Sequence, residues 1–150
     1  MSELSDLYQE VILDHSRHPH NYHAMADATR QAEGYNPLCG DQVTVYVKLE
    51  GDKIHDISFE GHGCAISKSS ASVMTDLVKG KSKAEAAALS DKFRQLVTGG
   101  SHAEADSSDK LAIFSGVSEF PTRVKCAVLG WHTLRSALDN KKEKITTEGL

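Results

Sequence analysis

The sequence is short of cysteine, of aromatic residues and of positive charge, and each shortage excludes something. Three Cys in 150 residues are too few, and odd in number, for the disulfide framework of a small secreted scaffold, while unpaired thiols fit a reducing cytoplasm. Aromatics make up 6%, and 17 Lys and Arg are outnumbered by 21 Asp and Glu, for a formal charge of −4. With no Lys/Arg block, the footprint of a nucleic-acid binder is missing. No apolar run approaches the ~18 residues of a membrane span, and Met1 to Asp6 carries acids where a signal peptide is basic. The expectation is a soluble, cytoplasmic chain with no nucleic acid and no membrane among its partners. Internal repeats and dividing linkers are absent too, so residues 1–150 are read as one domain able to bury its own core. What is present is ordinary globular composition, 39% hydrophobic and 25% charged, which excludes a disordered or collagen-like chain.

Leu4, Leu7, Tyr8, Val11 and Ile12 recur at helical spacing and predict an amphipathic helix, ended at the latest by Pro19. The polar stretch His20 to Asn36 follows, with room for a short strand at Thr29 to Tyr35. Val43, Val45, Val47 and Leu49 alternate with Thr44, Tyr46 and Lys48, Glu50 to Lys53 supplies a turn, and Ile54 to Glu60 returns as a second strand. Gly61-His62-Gly63-Cys64 breaks that strand. Ile66, Ser69, Ser70, Val73, Met74 and Leu77 then trace one helical face, which places Cys64 at a helix entrance. Ser82-Lys83-Ala84-Glu85 is a capping box opening an Ala-rich helix, Asp91 to Val97 reads as a further short helix, and Asp109 to Phe114 as another. Pro121 suits the first turn of the last helix, whose apolar stripe is Val124, Ala127, Val128, Trp131, Leu134 and Leu138, with Cys126 near its start and off that stripe. Lys141 to Leu150 is charged and aperiodic and is expected to fray.

Each Cys stands where the backbone favours a thiolate or a ligand. Cys39 lies in a Gly-flanked turn before a strand, and Cys64 and Cys126 at helix starts, whose partial positive charge lowers a thiol pKa. Residues i and i+2 of an extended segment project to one side, so Cys39 and Asp41 can share a centre. If the two helix starts converge on that turn, Cys39, Asp41, Cys64 and Cys126 make a tetrahedral site of three sulfurs and one oxygen. Such a set selects zinc, ferrous iron or an iron-sulfur cluster, and its single carboxylate makes it easier to open than an all-thiolate site. Spacing alone does not force this, since no C-x-x-C pair is present and free Cys are often inert core residues. Arg123 and Lys125 are candidates to offset the site's negative charge, Lys125 by a salt bridge to Asp41. His15, His18, His20 and His23 form a second metal-like cluster; because it straddles a helix end and a Pro turn, it is read as surface histidines with adventitious metal affinity. His102-Ala103-Glu104 copies the H-x-E of zinc deaminases without its P-C-x-x-C partner and is read as coincidence.

Three segments resemble the IscU/SufU family of iron-sulfur assembly proteins in order and context: Asn36-Pro-Leu-Cys39-Gly-Asp41, Phe59-Glu-Gly-His-Gly-Cys64-Ala-Ile-Ser67, and Phe120-Pro-Thr-Arg-Val-Lys125-Cys126-Ala-Val-Leu-Gly-Trp131. Leu7-Tyr8 and Asp14-His15 to Pro19 look similar as well, so the resemblance spans most of the chain. It implies an α+β fold, a small three-stranded antiparallel sheet with helices packed against it. It also implies Zn2+ held by Cys39, Asp41, Cys64 and Cys126, and a role as sulfur acceptor for a SufS-type pyridoxal-phosphate cysteine desulfurase, acting ahead of downstream iron-sulfur assembly proteins. Lys125 stands where the scaffold branch has His, the Pro-Pro-Val-Lys type chaperone site is lacking, and Ser82 to Gly100 looks like the insertion of the SufU branch, so the resemblance points to SufU. The expected mechanism has a desulfurase side chain, a His, displace Cys39 from zinc; the freed thiolate then takes the persulfide sulfur while Cys64 and Cys126 keep the metal. The alternative is a scaffold that builds an iron-sulfur cluster on the same ligands and passes it to apoproteins. A third reading is an interaction module with purely structural zinc.

Overall fold

Alternating β-branched residues decide the centre of the fold. In the computed structural model, which describes residues 3–37, 40–98, 110–139 and 145–146, strand β2 (Asp41–Glu50) buries Asp41, Val43, Val45 and Val47 on one side and turns Gln42, Thr44 and Tyr46 the other way. Strand β1 (Arg30–Asn36) pairs antiparallel with it from Arg30 opposite Val47 to Asn36 opposite Asp41. Strand β3 (Lys53–His62) pairs on its other edge from Lys53 opposite Glu50 to His62 opposite Gln42, with a bulge at Lys48/Leu49. Gly51, at φ 63°, makes the tight β2–β3 turn that a side chain would strain. These are the three antiparallel strands expected.

A two-residue strand β4 (Ile145–Thr146) runs parallel to β1 at Gly34 and Tyr35, giving the order β3-β2-β1-β4. Part of the segment expected to fray is thus tied to the sheet, where it covers backbone groups that the edge of β1 would otherwise present to water.

The described residues form four α-helices beside the sheet: α1 (Glu3–Arg17), α2 (Ala65–Val78), α3 (Lys83–Val97) and α4 (Pro121–Leu138). Helix α1 stops two residues before Pro19, as that residue's restriction on its neighbour requires. The capping box at Ser82 and Glu85 is formed in both directions, at 3.1 Å each way. The separate helix expected at Asp91 to Val97 is the second half of α3: no Gly or Pro interrupts the run, and Ser90 is buried within it. The region around Asp109 to Phe114 is a longer stretch of 3-10 turns, Lys110–Glu119.

Helices α2 and α4 cover the inward face of the sheet, α4 over β1 and β2 and α2 over β3. Small residues set the approach. A Cβ on Gly34 would stand 2.0 Å from Thr133 Oγ1, and one on Gly130 would stand 3.2 Å from Ala71 Cβ, so β1 with α4, and α4 with α2, pack backbone against side chain. Beyond the sheet, Phe93 of α3 stacks on Trp131 with centroids 5.1 Å apart and meets Phe114 edge-on at 5.5 Å. All three rings are fully buried, each worth roughly 1.5–3 kcal/mol of transfer free energy. This second layer anchors α4, and with it Cys126.

Candidate metal centre

The period of a strand carries two polar residues to the buried face. On β1, Ala32, Gly34 and Asn36 point inward, and on β2 Asp41 is in phase with Val43, Val45 and Val47. Asn36 and Asp41 face one another across the ladder at its end. Neither is exposed by more than 1%, so both need partners at that end of the sheet. The starts of α2 and α4 supply them.

Cys64 is the N-cap of α2, with an extended backbone (φ −72°, ψ 166°), and its Sγ accepts the Ser67 N–H at 3.4 Å. Sulfur here takes the place of the Ser or Asp oxygen that usually caps a helix. The Cys64 N–H donates to Asp41 Oδ1 at 2.9 Å, and Cys64 Sγ lies 3.7 Å from Asp41 Oδ2. Cys126, in the second turn of α4 and 2% exposed, receives Asn36 Nδ2 at 3.4 Å and lies 3.6 Å from the Thr122 carbonyl oxygen. One oxygen of Asp41 and the sulfurs of Cys64 and Cys126 all fall within 4.8 Å of one another.

These three donors fit a tetrahedral ion. Sulfur at ~2.3 Å and oxygen at ~2.1 Å from such an ion stand about 3.6 Å apart, against the 3.7 Å between Cys64 Sγ and Asp41 Oδ2. Hydrogen bonding by the Cys126 thiol, helped by the Ser67 and Ile66 N–H groups, lowers the Cys64 pKa from 9.0 to about 7, against the opposing pull of burial and of the Asp41 charge. A substantial share of Cys64 is therefore thiolate near neutral pH before any ion arrives.

Against known proteins, residues 7–127 match the family model described as the NifU-like N terminal domain. The chain is 43% identical over 138 residues to the iron-sulfur cluster assembly scaffold protein IscU of Streptococcus pyogenes, covering 92% of this chain and 86% of that one. It is 37% identical over 137 residues to the zinc-dependent sulfurtransferase SufU of Bacillus subtilis, covering 91% and 92%. The chain belongs to the NifU-like N-terminal domain family, the IscU/SufU proteins. In three dimensions the crystal structure titled as a putative iron-sulfur cluster assembly scaffold protein for the SUF system from Fervidobacterium islandicum superposes with a TM-score of 0.79 at 40% identity, covering 86% of this chain and 94% of that one.

Within this IscU/SufU fold, the structure brings together Asp41, Cys64 and Cys126 of the four expected ligands. Cys39 and Leu38 lie outside the described residues; the flanks of Cys39 do not, since the Gly40 N–H donates to the Asn36 carbonyl at 2.8 Å and Gly40 adopts φ 73°. Of the two cations expected to offset charge, Arg123 shares a groove of about 570 Å³ with Cys64, Cys126 and Leu13, its guanidinium 5.0 Å above the Phe120 ring. Lys125 forms no ion pair with Asp41 among the described residues. The α4 helical phase turns it away, toward Arg94, Thr98 and Val128 in a separate cavity. His62 is exposed at the end of β3, and His102 and Glu104 lie outside the described residues.

Two members of the site escaped the reading of the sequence. Asn36 looked like a turn former beside Pro37, although its phase with Ala32 and Gly34 marks it as inward. Gly63 looked like a strand breaker. A Cβ there would stand 2.4 Å from Asp41 Oδ1 and 2.8 Å from Asp41 Cγ, so its missing side chain is the space the carboxylate occupies.

Proposed function

We propose that this chain is a zinc-containing sulfur-transfer protein of iron-sulfur cluster biogenesis, accepting persulfide sulfur on Cys39 from a SufS-type pyridoxal-phosphate cysteine desulfurase in the cytoplasm. The observation that carries this reading is the convergence of Asp41, Cys64 and Cys126 at the inward end of β2, two residues along the sequence from Cys39. The name of the Bacillus relative, a zinc-dependent sulfurtransferase, supports the same chemistry. Zinc held by Cys39, Asp41, Cys64 and Cys126 would supply a Lewis acid that keeps the thiols deprotonated at neutral pH.

Division of labour among the ligands follows from where they sit. Cys64 is fixed as a helix cap and Cys126 inside a buried helix turn, so moving either disturbs a helix. Cys39 follows no helix and precedes Gly40, whose positive φ lets the backbone bend there. Its thiolate attacks the outer sulfur of the desulfurase persulfide; the S–S bond of the donor breaks, the donor cysteine leaves as a thiolate, and the sulfur remains on Cys39 as a new persulfide. No helix of the described chain is long and apolar enough to cross a membrane, in keeping with transfer between soluble partners.

Metal analysis of the untreated protein, followed by desulfurase turnover with and without it, tests this. The expected result is about one zinc per chain and a large rise in turnover, which Cys39→Ser abolishes while leaving much of the zinc bound. Unchanged stimulation by Cys39→Ser overturns the assignment of Cys39. Iron and sulfide with visible absorption would favour the cluster scaffold, the reading that the name of the Streptococcus relative supports. Lowered stability without any effect on sulfur flow would leave only a structural ion.

A further inference from the structure

Two of the four N-terminal histidines meet a carboxylate at a place remote from the thiols. His15 is in the last turn of α1, His20 follows the turn at Pro19, and Asp76 is on α2. One ligand atom from each lies within 4.8 Å of the other two. Asp76 stands twelve residues beyond Cys64 along the same helix, about 18 Å at 1.5 Å per residue.

The cluster is held by its own framework. Ser72 and Asp76, one helical turn apart, share a face of α2. Ser72 Oγ accepts the His20 backbone N–H at 2.8 Å and lies 2.8 Å from His15 Nδ1, so one hydroxyl orients both histidines. Asn21, in the left-handed region at φ 55°, reverses the chain. Its side-chain N–H groups donate to Thr75 Oγ1 at 3.0 Å and Asp76 Oδ1 at 3.4 Å, leaving Asp76 Oδ2 against His20 Nδ1 at 2.5 Å. The two imidazole centroids are 4.5 Å apart. The His20 side chain is 47% exposed and that of Asp76 20%, so solvent reaches the donors while the carboxylate is backed by the helix.

We propose that His15, His20 and Asp76 form a second, thiolate-free site for a divalent first-row transition ion. Two neutral imidazoles and one carboxylate suit zinc, nickel, cobalt or ferrous iron, and lack the soft sulfur that would favour Cu(I) and the oxygen-rich cage that calcium needs. Nitrogen and oxygen ligands each about 2.1 Å from a tetrahedral ion stand about 3.4 Å apart, so the His20–Asp76 contact opens by less than about 1 Å to admit one. Water completes the coordination, which makes the ion exchangeable, unlike one locked behind thiolates. Ser72 acts as a positioning residue. The inference is independent of the sulfur-transfer reading, because no residue of the thiol centre takes part.

The test adds Co2+ to the full-length protein whose thiol centre has been filled with zinc, and follows it by visible absorption and metal analysis. The expected result is one further equivalent with weak d–d absorption and no sulfur-to-cobalt charge transfer. His20→Asn and Asp76→Asn each weaken that equivalent by about tenfold or more, and Ser72→Ala, which leaves all three ligands, by ~10- to 100-fold. Retained zinc at the thiol centre and an unchanged far-UV spectrum show that each variant is folded. No second equivalent in the parent protein, a second equivalent of equal affinity in both ligand variants, or a sulfur charge-transfer band would each overturn the proposal.

Discussion

Gly63→Ala is the sharpest perturbation of the thiol centre, because it replaces no ligand residue yet intrudes on the space of one. The backbone of Gly63 is not left-handed, and the three atoms nearest to a Cβ there all belong to Asp41: Oδ1 at 2.4 Å, Cγ at 2.8 Å and Cβ at 3.0 Å. Ordinary van der Waals contact begins near 3.4 Å, so Oδ1 must retreat by about 1 Å, more than a hydrogen bond tolerates. The bond that Oδ1 accepts from the Cys64 N–H, now 2.9 Å, is then lost. A hydrogen bond to a charged group contributes about 1.5–3 kcal/mol, and the methyl's restriction of the unfolded chain returns about 0.4–1 kcal/mol. A net loss of roughly 1–2 kcal/mol in the metal-free protein is expected by urea denaturation, with weaker zinc binding in chelator competition. The decisive comparison is a double-mutant cycle. In an Asp41→Ala background the clashing carboxylate is gone, so Gly63→Ala should be nearly neutral, and the coupling energy should exceed about 1 kcal/mol. Equal effects of Gly63→Ala in both backgrounds, or no effect in either, would refute the reasoning.

Four further outcomes are expected. In the metal-free protein, alkylation of Cys64 by iodoacetamide should rise with pH through a midpoint of about 7 rather than 9.0, measured by mass spectrometry of the modified peptide; a midpoint near 9.0 would remove the thiolate from the argument. Asn36→Ala takes the amide donor from buried Cys126 Sγ and should destabilise the fold by about 1–3 kcal/mol, the penalty for stripping a partner from a buried polar group, with a lower affinity for zinc. His132 is half-buried beside Arg94 and Arg135, and burial and those charges hold its pKa below the ordinary 6.5. The unfolded chain therefore binds the extra proton first, and stability present above pH 6.5 is lost as the pH falls through the folded value; His132→Gln should flatten that acid limb in denaturant titrations. Ser82→Ala removes the hydroxyl that accepts the Glu85 N–H, while the residue 82 N–H can still donate to Glu85 Oε1, and should cost about 1 kcal/mol without changing zinc affinity, a control that separates stability from the metal centre.

Much of the site was legible in the chain, and the residues themselves say why. The alternation that makes β2 a strand also fixes which way Asp41 points, because residues two apart share a face whatever the rest of the molecule does. The break at Gly61 to Gly63 followed by a helical stripe placed Cys64 at a helix entrance, and Pro121 placed Cys126 in the early turns of α4. These are local rules, obeyed within a few residues. The same rules misjudged α3, where Asp91 was read as a new start although nothing between Leu89 and Asp91 ends a helix, and the tail, where Ile145 and Thr146 find a partner only because β1 has an open edge.

Tertiary structure decided the rest. Asn36 and Cys126 are 90 residues apart, and no local pattern states that the end of β1 lies over the second turn of α4; that crossing is set by the packing of Gly34 against Thr133 and of Gly130 against Ala71. Helical phase then turns Arg123 toward the thiols and Lys125 away from Asp41. The four histidines were alike in the sequence. Only the docking of α1 and its following turn on α2 sorts them, joining His15 and His20 to Ser72 and Asp76, while exposed His23 lies against the neighbouring carbonyl of Ala24. The sequence by itself determined which residues could serve as ligands and on which face of each element they stand, because periodicity is local. Which of them meet was decided by the packing of the core, because convergence depends on surfaces that only the folded chain brings into contact.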